Sequence, residues 1–279
     1  MKLTVLCDNN TITDVYLTGE PALSFFIEDS GKKILFDTGY SDVFIKNAKA
    51  LGINLLFTDY IVLSHGHIDH TGGLVHLKEM YKKAEEEGFS FKKPTLIAHP
   101  LLFRNVYEEP SGNIGSPLKQ ETASQFSDVI LTEKPYELTE NLLFLGQINE
   151  KTSFEPLSYA GVSKDSSGNL TPDFSPDDSA LLYSGENGLS VITGCSHSGI
   201  CSILKEAKKV SGRDDFIDII GGFHLLDAGY ERISKTGEFL KKSGIRNIHP
   251  CHCTDFTAKA ALLKYLSVTE VGCGSVFEF

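Results

Sequence analysis

An α/β fold is the architecture this sequence predicts, and three observations carry the expectation. Short apolar runs rich in Ile, Val, Leu and Phe recur along the chain, with the length of buried strands rather than helices. Between several of them lie stretches with apolar residues at helical spacing, and alternating strands and helices make an α/β architecture. Five of the runs also end on residues able to bind a metal ion or a proton. Strands sharing a sheet would bring those residues to one edge.

The elements follow in order. The chain opens on "KLTVLCD" and "ALSFFIEDSGKKILFD", read as strands joined by turns, with "DSGKK" as a hairpin connection. The second of these ends at Asp37, and "DYIVLSHGH" then ends at His65 and His67. Residues 73–87 read as an amphipathic helix with Leu74, Val75, Leu77, Met80 and Tyr81 on its apolar side. From about 90 to 176 the pattern loosens. "EEPSGNIGSP" and "SKDSSGNLTPDFSPDD" are rich in Gly, Ser, Pro and Asp, the composition of an insertion or lid over a site. Alternation resumes with "GLSVITGCSH" ending at His197, a helix over 200–210, "FIDIIGGFH" ending at His224, a helix over 230–243, and "RNIHPCHC" ending at His252. "TAKAALLKYL" at 257–266 makes the last helix before the closing strand "GSVFEF". Residues 1–279 are read as one domain, with 90–176 inserted within it.

Composition narrows the classes of function. The hydrophobic share of 41% and charged share of 23% fit a globular protein, and no run of about 18 apolar residues exists to span a bilayer. The first residues carry too short an apolar stretch for a signal peptide, so a cytoplasmic location is the expectation. A formal charge of -11 argues against a nucleic-acid binder, because polyanions would be repelled. Cys7, Cys195, Cys201, Cys251, Cys253 and Cys273 form no C-x-x-C pair and read as reduced thiols.

"IVLSHGHIDHTGGL", Ile61 to Leu74, holds the chemistry. In an extended segment residues two apart point the same way, so His65 and His67 can address one point, with Gly66 allowing a tight backbone path between them. Asp69 and His70 come where the chain turns into a helix and can address a second point. Two neighbouring divalent metal ions are the natural occupants. Packing these groups without a metal would bury imidazoles and a carboxylate that need partners.

H-x-H-x-D-H after an apolar strand, with "ILFDTG" upstream, resembles the signature of the metallo-β-lactamase fold superfamily. The resemblance implies an αββα sandwich with a one- or two-metal site at one edge, usually zinc and sometimes iron or manganese. It implies that Asp37 orients a ligand histidine, that His65 and His67 hold the first metal, and that Asp69, His70 and His252 serve the second. Many members place a third histidine on one strand and a bridging aspartate at the end of the next. The corresponding hairpin here has Asp177 and Asp178 at its start, and Cys195 with His197 at its end. His197, its only imidazole, is taken as a metal ligand of open geometric role. His224 is a poor bridge, since imidazole offers one lone pair per nitrogen; it is read as a terminal ligand, a substrate contact or a proton donor, against a plain strand-end hydrogen bond. Asp178 lies beyond the ligands or faces substrate. Cys195 shares the parity of His197 and stays open as a thiolate ligand, whereas Cys251 and Cys253 are expected to point the other way. His99 and Arg104 are read as an anion handle.

"GLSVITGCSHSGI", "IDIIGGFHLL", "IHPCHCT" and "GEPALSFFIE" resemble one subgroup, labelled as synthases of a dihydropterin-linked ribofuranosyl-aminobenzene phosphate. That subgroup reads "HCTG" where this chain has "HCTD", placing Asp255 to narrow the site or supply a carboxylate. The function expected is metal-dependent hydrolysis of a small anionic ester, a phosphoester first, through a metal-activated water. Asp69 would orient the nucleophile, and His224 or Asp178 would protonate the leaving group. Zinc is expected, with manganese or iron as alternatives; no membrane or nucleic-acid partner is expected, and a homodimer is left open. Two other classes stand beside this one. An iron-dependent redox or oxygen-using enzyme is disfavoured by His67, where flavodiiron members carry glutamate, and a metal-binding sensor without turnover is the third.

Overall fold

The structure is a computed structural model and describes residues 1–157, 159–164 and 167–279. Two seven-stranded sheets form its centre. The first runs Val276–Glu278, Lys2–Cys7, Ser24–Asp29, Lys32–Phe36, Tyr60–Val62, Thr95–Ala98 and Asp128–Leu131 in spatial order. The second runs Ser267–Val268, Asn247–Cys251, Phe216–Gly222, Gly188–Thr193, Ala180–Gly185, Leu142–Phe144 and Tyr136–Glu137.

Period-two alternation decides which side chain goes where. Phe25, Ile27, Ile34, Phe36, Val62 and Ile97 from the first sheet meet Phe144, Leu181, Ile192, Ile220 and Cys251 from the second in a shared inner core. The intervening residues face outward. Phe26, Leu35, Ile61 and Leu96 pack on the helices Val43–Ala50 and Leu74–Glu86. Leu182, Val191, Ile219 and Ile248 pack on the helices Ile200–Ser211, Tyr230–Lys242 and Phe256–Leu262. Four layers result, helix, sheet, sheet, helix, which is the αββα sandwich expected. Among the described residues no helix is long and apolar enough to cross a membrane.

Two boundaries differ from the sequence expectation. The stretch 90–176 is not one insertion: Thr95–Ala98 and Asp128–Leu131 extend the first sheet, and Tyr136–Glu137 and Leu142–Phe144 extend the second. These strands are too short to show a period. What stands apart is a small four-stranded sheet of Val106–Glu108, Gly112–Asn113, Gly161–Lys164 and Leu170–Asp173; Ser158, Asp165 and Ser166 in this stretch lie outside the described residues. The last long helix spans Phe256–Leu262, shorter than 257–266, and begins where Asp255 caps it.

Strand direction places the site. Lys32–Phe36, Tyr60–Val62 and Thr95–Ala98 are parallel in one sheet, and Gly188–Thr193, Phe216–Gly222 and Asn247–Cys251 are parallel in the other. Five of these six strands run out to Asp37, His65, Cys195, His224 and His252.

Candidate metal centre

The chain leaves Val62 through Ser64 and enters the one-turn helix Ile68–Thr71, and the segment between carries the ligand-type residues. Gly66 is required by packing rather than by φ: a Cβ there would stand 2.3 Å from the Leu102 carbonyl oxygen. The Gly66 N–H donates to Asp177 Oδ2 at 2.7 Å, so the backbone is held from beneath as it passes from one histidine to the next.

His65 Nε2 and His67 Nδ1 stand 3.0 Å apart, and His67 Nδ1 stands 3.1 Å from His197 Nε2. All three rings are buried. The hydrogen-bond network fixes the tautomer of His65. Ser64 Oγ donates to Asp37 Oδ2 at 2.7 Å and so accepts from His65 Nδ1 at 2.9 Å, leaving His65 Nε2 with a lone pair. One proton on His67 Nδ1 can satisfy only one of its two neighbours. A cation satisfies all three nitrogens, so this donor set fits a metal ion. Burial first, and then the neighbouring imidazoles, hold His65 and His197 well below the usual histidine range; burial also lowers His67. Neutral imidazole is the form that ligates.

A second group lies beside the first. His70 Nε2 is 3.1 Å from His252 Nε2 and 3.1 Å from Cys195 Sγ, and Asp69 Oδ2 is 3.1 Å from His252 Nε2. Here too the rings are aimed from behind. His70 Nδ1 donates to Asp37 Oδ2 at 2.6 Å, and His252 Nδ1 donates to Asn9 Oδ1 at 3.2 Å, so both Nε2 atoms face inward. Burial pulls His70 down, but the Asp69 and Asp37 carboxylates outweigh it and raise it well above the usual range. Burial works against Asp69 as well, yet His70 and His252 hold its carboxyl far below ordinary values. Cys195, pushed up by burial and by Cys253, belongs to this group and also to a third, with His197 and His224.

Four of the eight non-glycine residues with positive φ among those described are Asp37, Ser196, His224 and His252, at 58°, 57°, 51° and 52°. Left-handed backbone at non-glycine residues costs free energy and persists only where the surroundings hold it. Here each instance turns the chain at the end of a strand that feeds the centre.

The structure therefore brings together His65, His67, Asp69, His70, Cys195, His197, His224 and His252, with Asp37 directly behind His70 and Ser64. Other expectations change. Arg104 is not a free anion handle: its Nε and Nη2 donate to Asp173 at 2.7 and 2.8 Å, and its Nη1 pairs with Asp177 at 2.7 Å. His99 joins none of the ligand groups; it is buried, and its Nδ1 accepts from the Leu101 N–H at 3.1 Å. Asp255 caps the helix Phe256–Leu262, Oδ1 accepting from the Ala258 N–H at 2.7 Å, and Oδ2 accepts from the Asp227 N–H at 3.3 Å. Both its oxygens are thus engaged, and it joins none of the ligand groups. Asp178 is buried, which raises its carboxyl to about 7, and it accepts from the Ser198 N–H at 2.8 Å, bracing the loop of His197. Cys251 points into the inner core as alternation requires, but Cys253 does not follow the rule. The left-handed turn at His252 swings its Sγ to within 3.4 Å of the Cys195 carbonyl oxygen.

Ser64, Asn9 and Asp8 support the site without having been singled out in the sequence, and Asp177, noted there only as the start of the hairpin, supports it through Gly66. Asp8 and Asn9 follow the first strand, the same strand-end plan that marked the others, and Asp8 Oδ1 accepts from the His252 N–H at 3.0 Å.

Comparison with known proteins agrees with this architecture. The model of a family described as the metallo-beta-lactamase superfamily matches residues 17–87. A 7,8-dihydropterin-6-methyl-4-(beta-D-ribofuranosyl)-aminobenzene-5'-phosphate synthase of Methanocaldococcus jannaschii is 37% identical over 250 residues, covering 85% of this chain and 82% of that protein. An uncharacterised protein of the same archaeon is 29% identical over 262 residues, 92% of each chain. Among solved structures, a metal-dependent hydrolase of the beta-lactamase superfamily superposes over 100% of this chain and 99% of its own, with a TM-score of 0.81 and 27% identity. Zn(2+)-bound PqqB from Methylobacterium extorquens shares the fold over 100% of both chains, with a TM-score of 0.53 and 13% identity. On its layered sheets, its strand-end histidines and this kinship, the chain belongs to the metallo-β-lactamase superfamily.

Proposed function

We propose that this protein is a metal-dependent hydrolase of a small anionic ester, a phosphoester first, working with two divalent ions. The observation that carries the reading is the pair of adjacent donor sets, three neutral imidazoles in one and a carboxylate, two imidazoles and a thiol in the other. His65, His67 and His197 would hold one ion, and Asp69, His70, Cys195 and His252 the other. The thiol favours zinc over harder ions. Bound divalent ions supply Lewis acidity at the scissile oxygen and acidify water.

The chain's own residues do the rest. Asp37 and Asn9 fix the rings of His70 and His252, and Ser64 fixes His65, so the donor geometry is set before substrate arrives. Asp69 is partly exposed and engages His252 and His70 through Oδ2, so its second oxygen is the group that would accept a proton from an attacking water. His224, in the group with Cys195 and His197, would serve as a proton donor to the leaving group.

A second reading is favoured by the relative whose name describes a synthase. In it the same centre would hold the two parts that the name joins, a dihydropterin and a ribofuranosyl-aminobenzene phosphate, for coupling rather than hydrolysis. Metal analysis of protein purified without added metal, followed by a panel of phosphomonoesters, phosphodiesters, thioesters and lactones, tests both. About two zinc ions and turnover of one phosphoester class support the hydrolase. A coupled product, formed only when an aminobenzene acceptor is present and detected by mass, supports transfer. Iron without hydrolysis puts the redox class first, and metal without turnover of any kind puts the sensor first.

A further inference from the structure

The five imidazoles of the two donor sets are not aimed alike. His65, His70 and His252 each have a hydrogen-bond partner behind the ring, in Ser64, Asp37 and Asn9. His67 and His197 differ. His67 Nδ1 and His197 Nε2 face each other at 3.1 Å, while His67 Nε2 and His197 Nδ1, turned away, are buried. Among the described residues neither of these outer nitrogens finds a hydrogen-bond partner. Both rings belong to the first donor set. A ligand ring is ordinarily oriented by the bond its second nitrogen makes, and without one its direction is left to the backbone that carries it.

One short segment holds that backbone. Asp177, Asp178 and Ser179 stand where the chain enters the strand Ala180–Gly185, beside the end of its partner Gly188–Thr193. Asp177 Oδ2 accepts from the Gly66 N–H at 2.7 Å, between His65 and His67. Asp178 Oδ2 accepts from the Ser198 N–H at 2.8 Å, directly after His197. The Ser179 N–H donates to the Ser64 carbonyl oxygen at 2.9 Å, directly before His65. Three consecutive residues thus touch both chain segments that carry the first set. All three are buried, and a buried carboxylate persists only where donors or a cation offset its loss of water. Asp177 has that cation in Arg104, whose Nη1 lies 2.7 Å from Oδ1 while Nε and Nη2 grip Asp173 of the small sheet.

We propose that Asp177 and Asp178 are positioning residues for the first ion, holding the Gly66 and Ser198 peptides so that His67 and His197 converge without partners behind their rings. The second set is aimed through its imidazoles, and the first through its main chain. Through Arg104 the brace extends to the small sheet, so the first donor set depends on that sheet as well. This rests on the reading of His65, His67 and His197 as a metal site, whatever ester the protein takes.

Zinc affinity, measured by competition with a chelator, tests the assignment, with His252→Ala identifying the binding step that belongs to the second ion. Asp177→Ala and Asp178→Ala are each expected to weaken the first ion by about tenfold or more and to leave the second unchanged. Asp178→Asn keeps an oxygen for the Ser198 N–H and should restore most of the loss. A residue that only supports the fold would weaken both ions alike. First-ion affinity equal to wild type in either alanine variant, equal loss of both ions, or an Asp178→Asn protein as weak as Asp178→Ala overturns the proposal and leaves the metal reading standing. Absence of a first ion from wild type overturns the metal reading and the proposal with it. Should the alanine variants not fold, amide hydrogen exchange of metal-free wild type serves instead. Slow exchange at Gly66 and Ser198 is expected before any ion binds, and fast exchange at either refutes the brace.

Discussion

The two halves of the centre are built in different ways. His65, His67, Asp69 and His70 lie within six residues of one loop, whereas Cys195, His197, His224 and His252 come from three strand ends of the second sheet. The first set looks self-contained, but its backbone is held by Asp177 and its rings by Asp37 and Ser64. The second set is dispersed, yet His252 is clamped by Asp8 and Asn9 from the first sheet. Contiguity in sequence therefore does not make a ligand set independent. Each half is held in part by residues that the opposite sheet supplies.

Substitutions can break this comparison, the largest effect first. His67→Ala should remove the first ion and abolish turnover, weakening metal binding by more than the roughly hundredfold that an outer hydrogen-bond partner is worth. His252→Ala should leave one ion per chain, so metal stoichiometry separates the two sets. Loss of both ions from either variant would show that they bind as one unit.

Arg104→Met is next. It leaves Asp173 and Asp177 buried without their cation, and about 3–5 kcal/mol of stability should go, measured by denaturant unfolding. It also carries a pH signature. Burial pulls the Asp173 carboxyl up, but Arg104 overrides it and holds it at about 2. The stabilisation from this pair is thus complete above the ordinary carboxyl value near 4 and is lost as pH falls towards 2. The variant should show a flatter stability profile across that window. An unchanged profile would mean that the pair does not couple to folding.

Asn9→Ala should weaken the second ion about tenfold and leave the first untouched, read by competition with a chelator. The smallest effect belongs to Asp255→Ala, which removes a helix cap. It should cost about 1 kcal/mol with metal content and KM unchanged. A change in KM there would return Asp255 to the site.

Much of this arrangement was legible because it obeys local rules. Strands alternating with helices predicted an α/β architecture, the family resemblance implied the four layers, and the spacing of His65, His67, Asp69 and His70 predicted two points of convergence. Parity placed Cys195 with His197, as found. The same rule failed for Cys253 because the left-handed turn at His252 resets the alternation, and a backbone angle is invisible in residue types. Arg104 was misread for another reason: its partners, Asp173 and Asp177, are distant in sequence and meet it only after folding.

The inner core gives the centre a further property. Phe36 precedes Asp37, Val62 ends the strand before His65, Ile192 lies just ahead of Cys195, and Cys251 adjoins His252; all four belong to the apolar layer between the sheets. The thickness of that layer sets how far apart the two sheets stand, and hence how wide the two donor sets open. A methylene added or removed beneath the site acts as a calliper adjustment on the chelate. Variants of Val62 or Ile192 would change which ion the protein prefers before they change whether it folds.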